Sequence, residues 1–112
     1  MAYETASTDD VESVIDGEYG GMWFLKEALD TDELGLTVMQ LEPGAKGKPH
    51  DHSDDGQEEV YCVVEGEVVV EFDDETVTLA ENEAVRIDPD QRRQLRNESD
   101  DLARLVLVGA PI

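Results

Sequence analysis

The sequence predicts an all-β, single-domain fold of the sandwich or small-barrel kind. Three observations carry that expectation. From Gly20 onward, eight short β-rich runs follow one another. Turn-forming residues separate almost all of them, and no stretch shows a convincing amphipathic helical period. Strands of this number and length, at this spacing, suit two packed sheets or one closed one.

In chain order, residues 1–17 form an acidic N-terminal arm, and residues 18–112 form the barrel. Within the arm, Val11, Val14 and Ile15 suit either one helical turn capped by Asp9 or Asp10, or a frayed segment. Met22–Leu25, after Gly20-Gly21, reads as an edge strand or an oligomer contact, and core packing explains it equally well. Leu34–Glu42 runs to the turn at Pro43-Gly44, and Glu59–Glu65 follows the Asp54-Asp55-Gly56 turn. In Glu67–Phe72, Val68, Val70 and Phe72 share one face, while Glu67 and Glu71 take the other. Gly66, between those two runs, suits a tight hairpin because it tolerates positive φ. Thr76–Ala80, Ala84–Asp88, Arg92–Asn97 and Leu102–Val108 complete the set, with Asp73-Asp74 and Asp88-Pro89-Asp90 among the turns.

Composition narrows the function. The 112 residues hold 29 Asp and Glu against 8 Lys and Arg, a formal charge of -21. No basic stripe exists to displace counterions from nucleic acid or to dock on an anionic membrane. The acids are spread along the chain, which fits a carboxylate-rich surface kept hydrated in a high-salt cytoplasm; an ordinary acidic protein is the plainer alternative. The N-terminus has neither a basic region nor an apolar leader, and the apolar run Leu105–Val108 is too short to span a bilayer, so a cytoplasmic location is expected. Cys62 is the single cysteine, expected to be a buried structural thiol.

The two histidines, His50 and His52, stand two apart. In an extended segment such residues project to one face, so both imidazoles can converge on a point. Glu59 opens the next strand after a turn, and its carboxylate can meet them. Two imidazoles and a carboxylate with open positions suit a first-row divalent metal. Asp51, Asp54, Asp55 and Glu58 crowd the same stretch, as alternative oxygens or as solvated surface.

The segment Gly44-x5-His50-x-His52-x6-Glu59-x6-Gly66 resembles the first motif of the cupin superfamily. The gap from histidine to Glu59 is longer than the usual three or four residues. LAENEAVRIDPDQRRQLRN resembles the second motif and ARLVLVGAP the closing strand, so the likeness covers residues 36–110. It implies a cupin-type double-stranded β-helix (jelly-roll) barrel, with His50, His52 and Glu59 as three of four usual ligands to a divalent transition metal. Iron, manganese, nickel, copper and zinc all suit such a set.

The second motif lacks the family's fourth ligand histidine. Aligned back from Asn97, Arg93 takes that place; aligned forward from Pro89, Gln94 does. Leu95 is the better core residue and shares a face with residue 93, which favours Arg93 pointing inward. A guanidinium has no lone pair to give a metal. Arg93 therefore either clamps a bound anion beyond the metal or pairs with Glu59 in a metal-free site. Gln94, turned inward, would be a weak fourth ligand. Tyr61 shares the face of Glu59 and is placed to hydrogen-bond a ligand, with packing as its default role.

The expected function is that of a small cupin holding a divalent metal and a small, anionic ligand, as an oxygenase, an isomerase or a decarboxylase. No independent general base is identifiable in the sequence, although Glu58 and Tyr61 are near enough to be tested in that role. The alternatives are a non-enzymatic binding or sensing module, metal-free with Arg93 paired to Glu59, and a barrel serving mainly assembly. A homodimer is implied by the resemblance.

Overall fold

The structure is a computed structural model, and it describes residues 2–112. Eight strands are present: β1 Gly20–Phe24, β2 Gly35–Leu41, β3 Glu58–Glu65, β4 Val68–Glu71, β5 Thr76–Leu79, β6 Ala84–Ile87, β7 Gln94–Arg96 and β8 Ala103–Ala110. They form a five-stranded sheet in the order β1-β2-β8-β3-β6 and a three-stranded sheet in the order β5-β4-β7. Every strand pairing is antiparallel. This is the all-β, two-sheet fold that the run pattern predicts, and the jelly roll that the cupin resemblance implies.

Alternation in β3 and β8 builds the core between the sheets. Ala103, Leu105 and Leu107 of β8 are buried, while Arg104, Val106 and Val108 are less so. In β3, Glu59, Tyr61 and Val63 take the buried positions. The period of two thus carries a carboxylate to the inside of a strand whose other inward residues are core. Val68 and Val70 of β4, Leu95 of β7 and Ile87 of β6 close the core.

The expected hairpin at Gly66 is not formed. β3 and β4 do not pair; the chain passes there from one sheet to the other. Gly66 has φ of +81°, and a Cβ would stand 2.7 Å from the Leu102 carbonyl oxygen. The glycine is therefore required by the crossing's backbone and its close neighbour, not by a two-strand turn. One element was also unanticipated: Lys26–Leu29 forms a single helical turn, α1.

The acidic arm takes neither expected form. Among the described residues its only helical turn is a 3-10 turn at Thr8–Asp10, capped by Ser7. Beyond it, the Val14 amide donates to the Met22 carbonyl at 2.8 Å, and the Met22 amide donates to Ser13 Oγ at 3.0 Å. The arm is thereby laid against β1, the edge strand of the larger sheet.

Candidate metal centre

The histidine segment is held by the smaller sheet. His50 and Arg93 exchange both backbone hydrogen bonds, at 3.0 and 2.9 Å, as an antiparallel bridge. The His52 amide donates to the Pro89 carbonyl at 2.8 Å, and the Gly56 amide closes the next turn on the His52 carbonyl at 2.8 Å. Upstream, the Gly47 amide bonds Leu95, and the Asn97 amide bonds Ala45. Asn97 is itself buried, its Nδ2 donating to the Leu41 and Asp101 carbonyls at 2.8 and 2.9 Å. The segment bearing His50 and His52 therefore extends the small sheet beyond β7 and faces β3.

That arrangement brings the three expected ligands together. The donor atoms of His50, His52 and Glu59 all lie within 4.8 Å of one another. His52 Nε2 is 3.1 Å from Glu59 Oε1, and His50 Nε2 is 3.9 Å from the same oxygen. The two rings meet edge to face, centroids 5.1 Å apart. Across the larger sheet, Glu59 stands opposite Gly109, and Gly109 opposite Gly35. The Gln57 side chain fills the space beside Gly109, and Ile112 the space beside Gly35.

The outer nitrogens of both rings are engaged. His50 Nδ1 lies 3.0 Å from the Lys48 carbonyl, which can only accept. His52 Nδ1 lies 3.1 Å from each Asp55 carboxylate oxygen. A neutral imidazole carries one N–H. With that hydrogen given to Lys48 or Asp55, each Nε2 presents its lone pair toward the Glu59 oxygen. Lone pairs so opposed are the donor set of a shared cation, and such outer partners orient metal-binding histidines. The 3.1 Å separation also matches adjacent ligands on one ion, which at bond lengths of 2.0–2.2 Å lie about 3 Å apart. The residues fit a divalent metal.

Glu59 is 9% exposed and Arg93 1%. Arg93 Nη1 is 3.3 Å from Glu59 Oε1, and Nη2 donates to the Asp88 carbonyl at 2.8 Å, while Nε has no partner. Arg93 thus turns inward behind Glu59, and lines neither of the two chambers adjoining the centre. Gln94 turns away, its amide donating to the Gly47 carbonyl at 2.9 Å. The Tyr61 hydroxyl lies 3.3 Å from Glu59 Oε1. Glu58 lies on the outer face of β3 and pairs with Arg86 at 3.5 Å, so it is not placed to act as a base at this site. Arg96 pairs with Glu71 and Glu98. Cys62 is only partly buried.

Charge and burial act against each other at Glu59. Burial opposes its ionisation, but His50, His52 and Arg93 outweigh that and hold the carboxyl below its ordinary range. The same carboxylate raises His50, against the partial burial of the ring. Burial and the neighbouring Glu59 push the Tyr61 phenol well above its ordinary range, so at neutral pH it remains a donor.

Two chambers adjoin the centre. The first, about 790 Å³, is lined by His50, His52, Asp55, Glu59 and Tyr61, with Val11 and Val14 of the arm. The second, about 330 Å³, lies past His50 and Tyr61 and is lined by Ile15 and Tyr19 with Met39, Leu41 and Leu95. The arm's contribution to both was not anticipated. Its sequence signal is the Val14-Ile15 pair within an otherwise polar stretch.

The match to known proteins covers the elements just described. The model of the Cupin domain family matches residues 37–109, from β2 through β8. The chain belongs to the cupin family. This cupin is 35% identical over 79 residues to the polyketide synthase CurC of Streptomyces cyaneus, covering 70% of the chain and 49% of that protein. It therefore spans about half of that relative's length. Among solved structures, TT1209 of Thermus thermophilus superposes with a TM-score of 0.74 at 29% identity, covering 96% of this chain and 97% of that one. A sugar phosphate isomerase of the cupin superfamily from Silicibacter pomeroyi superposes at 0.78 and 25% identity, covering 96% and 76%.

Proposed function

We propose that this cupin holds one divalent transition metal on His50, His52 and Glu59, and binds a small anionic molecule in the chambers beside it. The observation that carries the reading is the convergence of two Nε2 atoms and one carboxylate within 4.8 Å at the wall of an open cavity. When bound, such an ion supplies Lewis-acid polarisation of a ligand oxygen or, for iron, manganese or copper, a redox centre. Lys48 and Asp55 hold the two imidazoles with Nε2 inward. Tyr61 donates to Glu59 and stays protonated. Arg93 places a fixed positive charge behind the carboxylate, so a dication there carries surplus charge that an anionic ligand offsets.

With a metal of this kind, the fold supports dioxygenation, sugar isomerisation or decarboxylation of a small acid. The similarity to a sugar phosphate isomerase favours a ligand carrying a negative charge. A second reading rests on the 3.3 Å contact of Arg93 with Glu59: a metal-free binding or sensing module, in which the guanidinium takes the cation's place.

Elemental analysis of untagged protein decides between them, after reconstitution with iron, manganese, nickel, copper and zinc in turn. About one equivalent of one metal, absent from His52→Ala, is the expected result. No metal under any of these conditions assigns the site to Arg93 instead.

A further inference from the structure

The chain's 29 acidic residues leave one interior region bare. Four carboxylates line the first chamber: Glu12, Glu27, Asp55 and Glu59. The second chamber has none. Its walls are aliphatic and aromatic, from Ile15, Tyr19, Met39, Leu41, Leu95 and Leu107. The charged residues at its rim are Lys46 and Lys48, two of the three lysines in the sequence. Both are exposed, and neither makes a salt bridge among the described residues, whereas Arg86, Arg93 and Arg96 all do.

We infer that the second chamber seats the apolar body of the ligand, and that Lys46 and Lys48 select ligands carrying an anionic group. The ligand class is a small amphipathic anion, such as an aromatic or branched carboxylic acid. At about 330 Å³ the chamber lies in the range of small-molecule sites, with mostly apolar walls and few polar groups. In a chain of charge -21, an anion is repelled nearly everywhere; a carboxylate-free wall beside two unpaired ammonium groups is where it is attracted. The chamber shares His50 and Tyr61 with the first, so an anion seated there ends beside the candidate metal side chains. This inference rests on reading the barrel as a small-molecule site, and its recognition groups are separate from the metal ligands.

Gly47 supplies an independent handle. It lines the second chamber, and a Cβ there would meet Leu95 Cβ at 3.6 Å, an ordinary contact. A larger side chain at this position fills space without straining the backbone.

The test is a fluorescence titration with naphthoate, using naphthamide as the neutral probe of the same shape, at one fixed ionic strength. Naphthoate is expected to bind saturably and about tenfold more tightly than naphthamide, the scale of a charge-assisted hydrogen bond at a partly exposed site. The double variant Lys46→Gln, Lys48→Gln should lose that preference while retaining naphthamide binding. Gly47→Val should weaken both probes, and Lys26→Gln, in the first chamber, should change neither. Equal binding of the two probes to wild type overturns the inference, as does saturable binding of neither. So does a preference that is lost in Lys26→Gln and kept in the double variant. Metal content measured on the same samples separates the two proposals. Naphthoate selectivity without metal removes only the metal reading, and metal without naphthoate binding removes only this one.

Discussion

The two chambers on either side of His50 and Tyr61 are built from the same strands and differ in what their walls can hold. One is lined by both histidines and four carboxylates; the other is apolar with lysines at the rim. Val14 and Ile15 of the arm divide between them, one in each wall. Neighbouring side chains leave the backbone in different directions, so one short stretch of the arm serves both. The polar chamber is suited to ordering a cation through opposed lone pairs. The apolar chamber is suited to a ligand's body. In a chain of net charge -21, the second chamber differs from the first in having no carboxylate in its wall.

The comparison breaks most visibly at His52, which lines only the first chamber. His52→Ala should abolish metal binding, read by elemental analysis, while leaving the naphthoate affinity of the metal-free protein unchanged. Loss of both would show that the chambers do not act separately.

Arg93 gives the next largest effect. Arg93→Met removes the buried partner of Glu59 and should lower the unfolding free energy of metal-free protein by about 3 kcal/mol in urea denaturation. The same change removes a positive charge beside the site and should raise metal affinity. A variant that loses both stability and metal would contradict the placement of Arg93 behind the carboxylate. Asp55→Asn should weaken metal binding by about 10–100-fold through loss of the His52 Nδ1 partner, with the second chamber unaffected.

Smaller effects follow pH. His50 is raised in the metal-free protein, so its contribution to stability is fully present below about pH 6.5 and is lost as pH rises through the folded value. Metal binding needs the neutral ring and has the opposite trend. The melting-temperature gap between loaded and metal-free protein should therefore narrow on acidification from neutral pH, as read by thermal unfolding at several pH values. A gap that widens would contradict the role of His50.

Much of the fold was legible because burial in a two-layer β protein imposes a period of two on each strand. All eight runs became strands, and Glu59, Tyr61 and Val63 took the inner face that alternation assigns to them. Gly66 was legible as a turn but not as a crossing, because local sequence specifies backbone conformation and not which sheet comes next. Within the site, the two-residue spacing of His50 and His52 exposed the donor set, and the burial of Leu95 oriented Arg93. Asp55 was one acid among several in its loop; only the fold brings it, and not Asp54, to His52 Nδ1. The walls supplied by the arm were likewise hidden, since Val14 and Ile15 meet the barrel through packing that no local pattern encodes.

Titration of cobalt(II) into metal-free wild type and His52→Ala, followed by visible absorption, tests the central claim most directly. The expected result is a band that saturates near one equivalent in wild type and is missing from the variant. A wild-type protein with no saturable band, or a variant that titrates identically, would contradict a metal centre on His50, His52 and Glu59.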